Sequence, residues 1–313
     1  MKGLISAAVL AGCVCAARVA AQVLPGLGAD GVVGSAGVHA VAPPGSLGLP
    51  PNPADIAWRD QWNLGFGASN SSVTGVAERS VTAAARVGRL GIAGRLNSRW
   101  VRNLFDDPAL NDAPDLSVRS SDYAVGVSVS APYGIAAGVS ALYSVADILG
   151  STGTGIGYTV GLSLERGSIG AGLTYGTAEP AMRWRGAGSA ATWTAGTRRF
   201  AAGLSASATA LGVRSGATVE WDREVGYSSA SWTRANVSFS VLQGFFCLVG
   251  GVARGGGGAS SYSEVGGLLT FGVLQLSLGA RFGAQPVPGN SIAIGIGARA
   301  SQRPASAPTN SPL

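Results

Sequence analysis

Tyr123-Ala124-Val125-Gly126-Val127-Ser128-Val129-Ser130 is the stretch that decides the fold. Its odd positions are aromatic or β-branched, and its even positions are Ala, Gly and Ser. Successive side chains on a strand point to opposite faces, so this period of two predicts a strand with one apolar face and one face of small residues. The pattern recurs. Ile156, Tyr158, Val160, Leu162 and Leu164 alternate with Gly157, Thr159, Gly161 and Ser163. Leu274, Leu276, Leu278, Ala280 and Phe282 alternate with Gln275, Ser277, Gly279 and Arg281. Ile292, Ile294 and Ile296 oppose Ala293, Gly295, Gly297 and Arg299, and near the start Trp62, Leu64 and Phe66 oppose Asn63, Gly65 and Gly67.

The small-residue face decides what the apolar face meets. In a water-soluble antiparallel sheet the polar face meets water and carries charge. Here charged residues are 12% of the chain and Gly is 49 of 313, about half and about twice the usual shares. A wall facing lipid outward and a lumen inward needs that pattern, and closure into a barrel leaves no unpaired edge in the bilayer. The same composition excludes disorder driven by charge, and Gly without a G-X-Y period excludes collagen.

Turns supply the count. Short connections are read at Gly88-Arg89, Pro132-Tyr133-Gly134, Arg166-Gly167, Arg199-Phe200, Gln243-Gly244 and Gly272-Val273. Longer polar segments are read at 99–120, 146–154, 178–190, 211–231, 254–261 and 283–290. One strand near 61–70, six hairpins and a last strand near 291–300 predict about fourteen strands, with twelve as the alternative because 190–231 blurs. Short turns gather at one end and long loops at the other, as in a transmembrane antiparallel β-barrel of the outer membrane. Aromatic residues near strand ends, such as Trp62, Trp100, Tyr133 and Tyr175, fit interfacial girdles.

Four segments follow. Residues 1–21 read as a signal peptide: Lys2, the apolar run Leu4 to Ala17, and Val19-Ala20-Ala21 before the cut. Leu10-Ala11-Gly12-Cys13 also matches a lipobox, so lipidation at Cys13 is the alternative to cleavage at Ala21. Residues 22–60, rich in Gly, Ala and Pro, form an N-terminal hatch or plug segment. Residues 61–300 form the barrel, and 301–313 a polar C-terminal tail. After cleavage at Ala21 only Cys247 remains, so no disulfide framework is expected.

Asn52-Pro53-Ala54, standing just before the first strand, together with the repeated hairpins and the strand count, resembles the superfamily of FadL-type outer-membrane hydrophobic-compound transporters and the related PorV-type barrels. Members carry an Asn-Pro-Ala motif in an N-terminal hatch at this place. The resemblance implies a hatch that blocks a straight aqueous pore. The chain is shorter than typical fatty-acid transporters of this type and ends on a polar tail instead of an aromatic residue. Read on its own, the tripeptide is a helix start, with Asn52 as cap and Pro53 at the first position.

Catalytic chemistry finds little support. His39 is the single histidine, so histidine triads and multi-histidine metal sites are not expected. The Gly runs 150–157 and 255–258 match no phosphate-binding motif and read as external loops. Basic residues never exceed two in a row, so no nucleic-acid surface is expected. Arg86, Arg95, Arg234, Arg281 and Arg299 fall on the lumen face, where they attract an anionic head group or pair with hatch carboxylates such as Asp55 and Asp60. The expected function is passive uptake of small hydrophobic or amphipathic compounds, by a barrel that is not an enzyme and uses no cofactor or metal. The alternatives are a non-transporting barrel serving a secretion or surface-anchoring partner and, more distantly, a soluble secreted β-protein. Expected partners are outer-membrane lipid and a hydrophobic small molecule.

Overall fold

A computed structural model describes residues 40, 49–58, 61–71, 76–101, 118–148, 151–186, 192–226, 229–257, 261–283 and 291–300. The proposed signal peptide, lipobox, His39, Asp60, residues 102–117 of the polar segment 99–120 and the C-terminal tail lie outside them. The strands are β1 (Trp62–Ser71), β2 (Val76–Val87), β3 (Leu90–Val101), β4 (Val118–Ala131), β5 (Ile135–Ile148), β6 (Ser151–Arg166), β7 (Ile169–Glu179), β8 (Met182–Arg185), β9 (Thr192–Thr194), β10 (Thr197–Ala210), β11 (Val213–Val225), β12 (Ala230–Val241), β13 (Phe246–Gly256), β14 (Tyr262–Phe271), β15 (Leu274–Gly283) and β16 (Ser291–Arg299).

β1 pairs antiparallel with both β2 and β16, so the sheet closes on itself. Fourteen strands form the ring; β8 and β9 are a short hairpin that continues the line of β7 past the wall and pairs with the start of β6. Closure gives every strand of the ring a neighbour on both sides, which is the condition for crossing a bilayer with strands.

The alternation read in the sequence becomes an inside and an outside. Tyr123, Val125, Val127 and Val129 are exposed on the outer wall, while Ala124, Gly126 and Ser128 are shielded from solvent inside. Ile292, Ile294 and Ile296 likewise face out, against Ala293 and Gly295 within. A continuous coat of exposed Leu, Ile, Val and aromatic side chains would be a severe liability in water. Against lipid it is the stable arrangement. Tyr123 stacks beside Tyr143 at 6.3 Å and Phe200 beside Trp221 at 6.0 Å on this outer face.

The tight turns and both barrel termini lie at one end. Five of the six turns read in the sequence are present. The exception is Arg199-Phe200, which lies inside β10; the turn is Leu211-Gly212, with both residues at positive φ. That is the geometry whose twist suits a two-residue hairpin, but Leu is not the residue that usually signals it. Residues 213–225, read as loop, form β11. The segment 146–154 is no loop either: β5 runs to Ile148 and β6 starts at Ser151. Gly153, Gly155 and Gly157 are therefore inward wall residues of β6, not part of an external loop. Within 178–190, β8 adds a further short strand.

Candidate functional site: the plugged lumen

A short 3-10 helix, Pro53–Trp58, sits inside the barrel. Asn52 starts it. Its Oδ1 accepts from the Ala54 amide at 3.1 Å, and its backbone oxygen accepts from the Asp55 amide at 3.1 Å. Pro53 has no amide to leave unpaired there, which is why it is tolerated at the first position. The Asn52 Nδ2 donates outward to two carbonyls, Ala40 at 2.7 Å and Leu162 of β6 at 3.1 Å. One carboxamide thus ties together the helix, an earlier piece of the N-terminal segment, and the wall.

The wall is shaped to receive it. Inward glycines stand where the plug comes closest. A Cβ on Gly138 would strike the Pro53 and Ala54 backbone, and one on Gly161 the Asn52 side chain. Gly172 faces the Ala40 carbonyl, Gly126 the Leu49 side chain, and Gly91 the Ile56 side chain. Leu49, Ile56, Ala84, Ala93 and Ala124 make the apolar contact that anchors this seat. Polar ties complete it: the Trp58 indole donates to Ser163 at 2.8 Å, the Leu49 amide to Thr82 at 3.1 Å, and Arg86 to the Ala57 carbonyl at 3.1 Å. Buried donors and acceptors that find partners in this way hold a segment in one place.

These contacts occupy the half of each strand nearer the tight turns. The other half of the lumen carries charge. Arg234 reaches Asp222 at 2.5 Å and Glu220 at 3.5 Å. Arg199 pairs with Glu224 and, at 3.7 Å, with Asp222. The Arg281 guanidinium pairs with Glu264 and lies over the Tyr262 ring at 4.5 Å. The Tyr262 hydroxyl is 3.5 Å from Arg234 Nε. A ladder of alternating sign therefore runs around the wall from β10 to β15. On β2 to β4, Arg99 bridges Glu78 and Asp122 at 3.5 and 3.7 Å. Arg234 and Arg281 are each 1% exposed, and a buried charge persists only where it is paired.

The two tiers meet at Glu220. Its Oε2 accepts from the Ala40 amide at 2.5 Å, and its Oε1 faces Arg234.

Of the residues singled out from the sequence, Asn52, Pro53 and Ala54 are buried in the plug. Arg86, Arg95, Arg234, Arg281 and Arg299 all point inward by strand register. Arg234 and Arg281 pair with carboxylates of the wall, and Arg86 binds a plug carbonyl. Glu220, Asp222, Glu224, Glu264 and Arg199 were not singled out. Four of these five lie in stretches read as turn or loop, although Glu220, Asp222 and Glu224 alternate with Val219, Trp221 and Val225, which was the available signal. Among the described residues no three His, Cys, Asp or Glu side chains gather to hold a metal ion.

A closed, even-stranded wall coated for lipid, with short turns at one end, defines an outer-membrane β-barrel, and this one carries an internal plug. No protein-family model matches the chain, and no curated protein matches it in sequence. Solved structures do match. The Pseudomonas putida toluene transporter TodX superposes at a TM-score of 0.56 with 10% identity, over 80% of this chain and 93% of that one. The CymD monoaromatic hydrocarbon channel superposes at 0.54 with 9% identity, over 80% and 92%. CdiB from Acinetobacter baumannii gives 0.46 with 10% identity, over 76% of this chain and 59% of that one. The chain has the fold of an outer-membrane β-barrel, and its place is the outer membrane.

Proposed function

We propose that this barrel is a passive, non-catalytic channel for small hydrophobic or amphipathic compounds. The observation that carries the reading is the plug seated on inward glycines. An open aqueous pore has no need of a fitted internal stopper, whereas a channel for compounds that dissolve in membranes must stop water and ions while it passes them. Two of the fold likenesses are by name a toluene transporter and a monoaromatic hydrocarbon channel, and they support the same direction.

The test is uptake in cells whose outer leaflet is lipopolysaccharide, with and without the protein. Radiolabelled ethylbenzene should enter faster when the barrel is present, and a labelled disaccharide should not. Equal ethylbenzene uptake in both, or free passage of the disaccharide, overturns the reading. So does stable co-purification with an exported protein and no effect on either solute, which would make the barrel a secretion or anchoring component.

A further inference from the structure

A second polar cluster lies on the lumen wall on β1 to β5, beside the Arg199–Arg281 ladder. On β2 and β3, Glu78 Oε1 accepts from Asn97 Nδ2 and from Arg99 Nε. Arg99 is shared with Asp122, whose other oxygen takes the Ser144 hydroxyl at 2.6 Å. The Arg281 guanidinium of β15 also acts on Glu78, so what this group lacks is hydrogen-bond donors placed on its oxygens, not positive charge. Arg95, the next inward residue of β3, stands opposite Thr82 on the plug side.

Around Glu78 several buried polar atoms are unanswered. Glu78 Oε2 and Asn97 Oδ1 have no hydrogen-bond partner among the described residues, and neither do the hydroxyls of Ser69 and Ser80. Strand register puts Ser69 opposite Glu78 and Ser80 opposite Asn97, so the four adjoin on the lumen wall. Glu78 is 1% exposed, Ser80 4%, Ser69 6% and Asn97 6%. Bulk water does not answer these atoms, and an unanswered carboxylate oxygen in such surroundings is costly.

We propose that this corner binds an organic ammonium group, the head of an amphipathic compound held in the lumen. An ammonium brings one positive charge and three N–H donors with no acceptor. Glu78 Oε2, Asn97 Oδ1 and the Ser80 hydroxyl are acceptors suited to those donors, and charge-assisted bonds of this kind are the strong ones. An anionic head group has no N–H to donate to Glu78 Oε2 or Asn97 Oδ1 and would leave both unanswered. The proposal rests on the uptake reading solely for the ligand's route into the lumen.

Equilibrium dialysis of the intact barrel in a neutral maltoside detergent tests it, with phenethylamine and ethylbenzene as probes at neutral pH. Phenethylammonium should bind about tenfold more tightly than ethylbenzene, the size of one well-made polar contact. Glu78→Gln should remove that preference and leave ethylbenzene binding unchanged. Asp122→Asn should reduce it while keeping the Arg99 side chain in place. Heat-modified gel mobility confirms that each variant is folded, and Asp122→Asn still reads the site if Glu78→Gln does not fold. Equal affinities for the two probes overturn the proposal. So does a preference unchanged in either folded variant, or one abolished by salt alone, the mark of a surface ion atmosphere. A preference found without ethylbenzene uptake in cells leaves the site standing and removes the channel. Uptake without a preference does the reverse.

Discussion

The side chain of Asn52 occupies the space that a Cβ on Gly161 would fill. The glycine is what lets the plug carboxamide lie against the wall and reach the Leu162 carbonyl at 3.1 Å. Gly161→Ala therefore forces Asn52 out of its seat, and backbone shifts of this kind cost about 1–3 kcal/mol. The outcome expected is a folded barrel with raised conductance in planar bilayers. Gly94→Ala is the control, since its Cβ would meet the Ala124 carbonyl at an ordinary 3.7 Å. Unchanged conductance in Gly161→Ala would show that the contact does not hold the plug.

Arg234 is the hub of the charged tier. Arg234→Ala takes from Asp222 and Glu220 the guanidinium they share and leaves Asp222 with Arg199 at 3.7 Å. Removing one partner of a buried pair typically costs about 3–5 kcal/mol. The variant should lose its folded gel mobility at a distinctly lower temperature than the parent. Arg234→Ala combined with Asp222→Asn and Glu220→Gln should recover much of the loss, because the uncompensated charge goes with the cation. A triple variant no more stable than the single one would mean that packing, not charge, sets the effect.

How much of this was legible follows from contrast between faces. β4, β6, β15 and β16 declare themselves because Val, Ile or Leu alternates with Gly, Ser or Ala. β10 hides, since Ala202, Ala206 and Ala208 on the outside look like Ala201, Ser205 and Ser207 on the inside. β11 hides for another reason. Glu220, Asp222 and Glu224 read as a solvated loop unless one knows that Arg199 and Arg234 on neighbouring strands neutralise them. That pairing depends on register, which one sequence does not display. The plug motif was visible at Asn52-Pro53-Ala54, but its glycine socket was not, because Gly91, Gly126, Gly138, Gly161 and Gly172 come from five different strands.

Leu278 faces outward midway along β15 and is well exposed there. If that face meets lipid, Leu278→Arg should cost about 2–4 kcal/mol, the depth-dependent cost of a cation near the bilayer midplane. Leu211 is also exposed, but it sits in a tight turn at the barrel's end. Leu211→Arg should cost about 0–1 kcal/mol on the same scale. Urea titration of the barrel refolded into phospholipid vesicles measures both. Similar small losses at the two positions would contradict a lipid-facing wall.

The segregation of turns also predicts which end faces which compartment. Outer-membrane barrels keep short turns on the periplasmic side and longer connections outside. Leu211 lies in a tight turn, and Ser229 lies at the opposite end, just before β12. Cys247 is buried and faces the lumen, and Cys247→Ser supplies a background without it. In that background, Ser229→Cys should react with a membrane-impermeant maleimide on intact cells. Leu211→Cys should react only after the outer membrane is permeabilised. The reverse pattern would invert the barrel and place the charged tier, with Glu78 and Arg234, on the periplasmic side. A ligand arriving from outside would then meet the plug before the charges, so the order of the two tiers along the path depends on this one measurement.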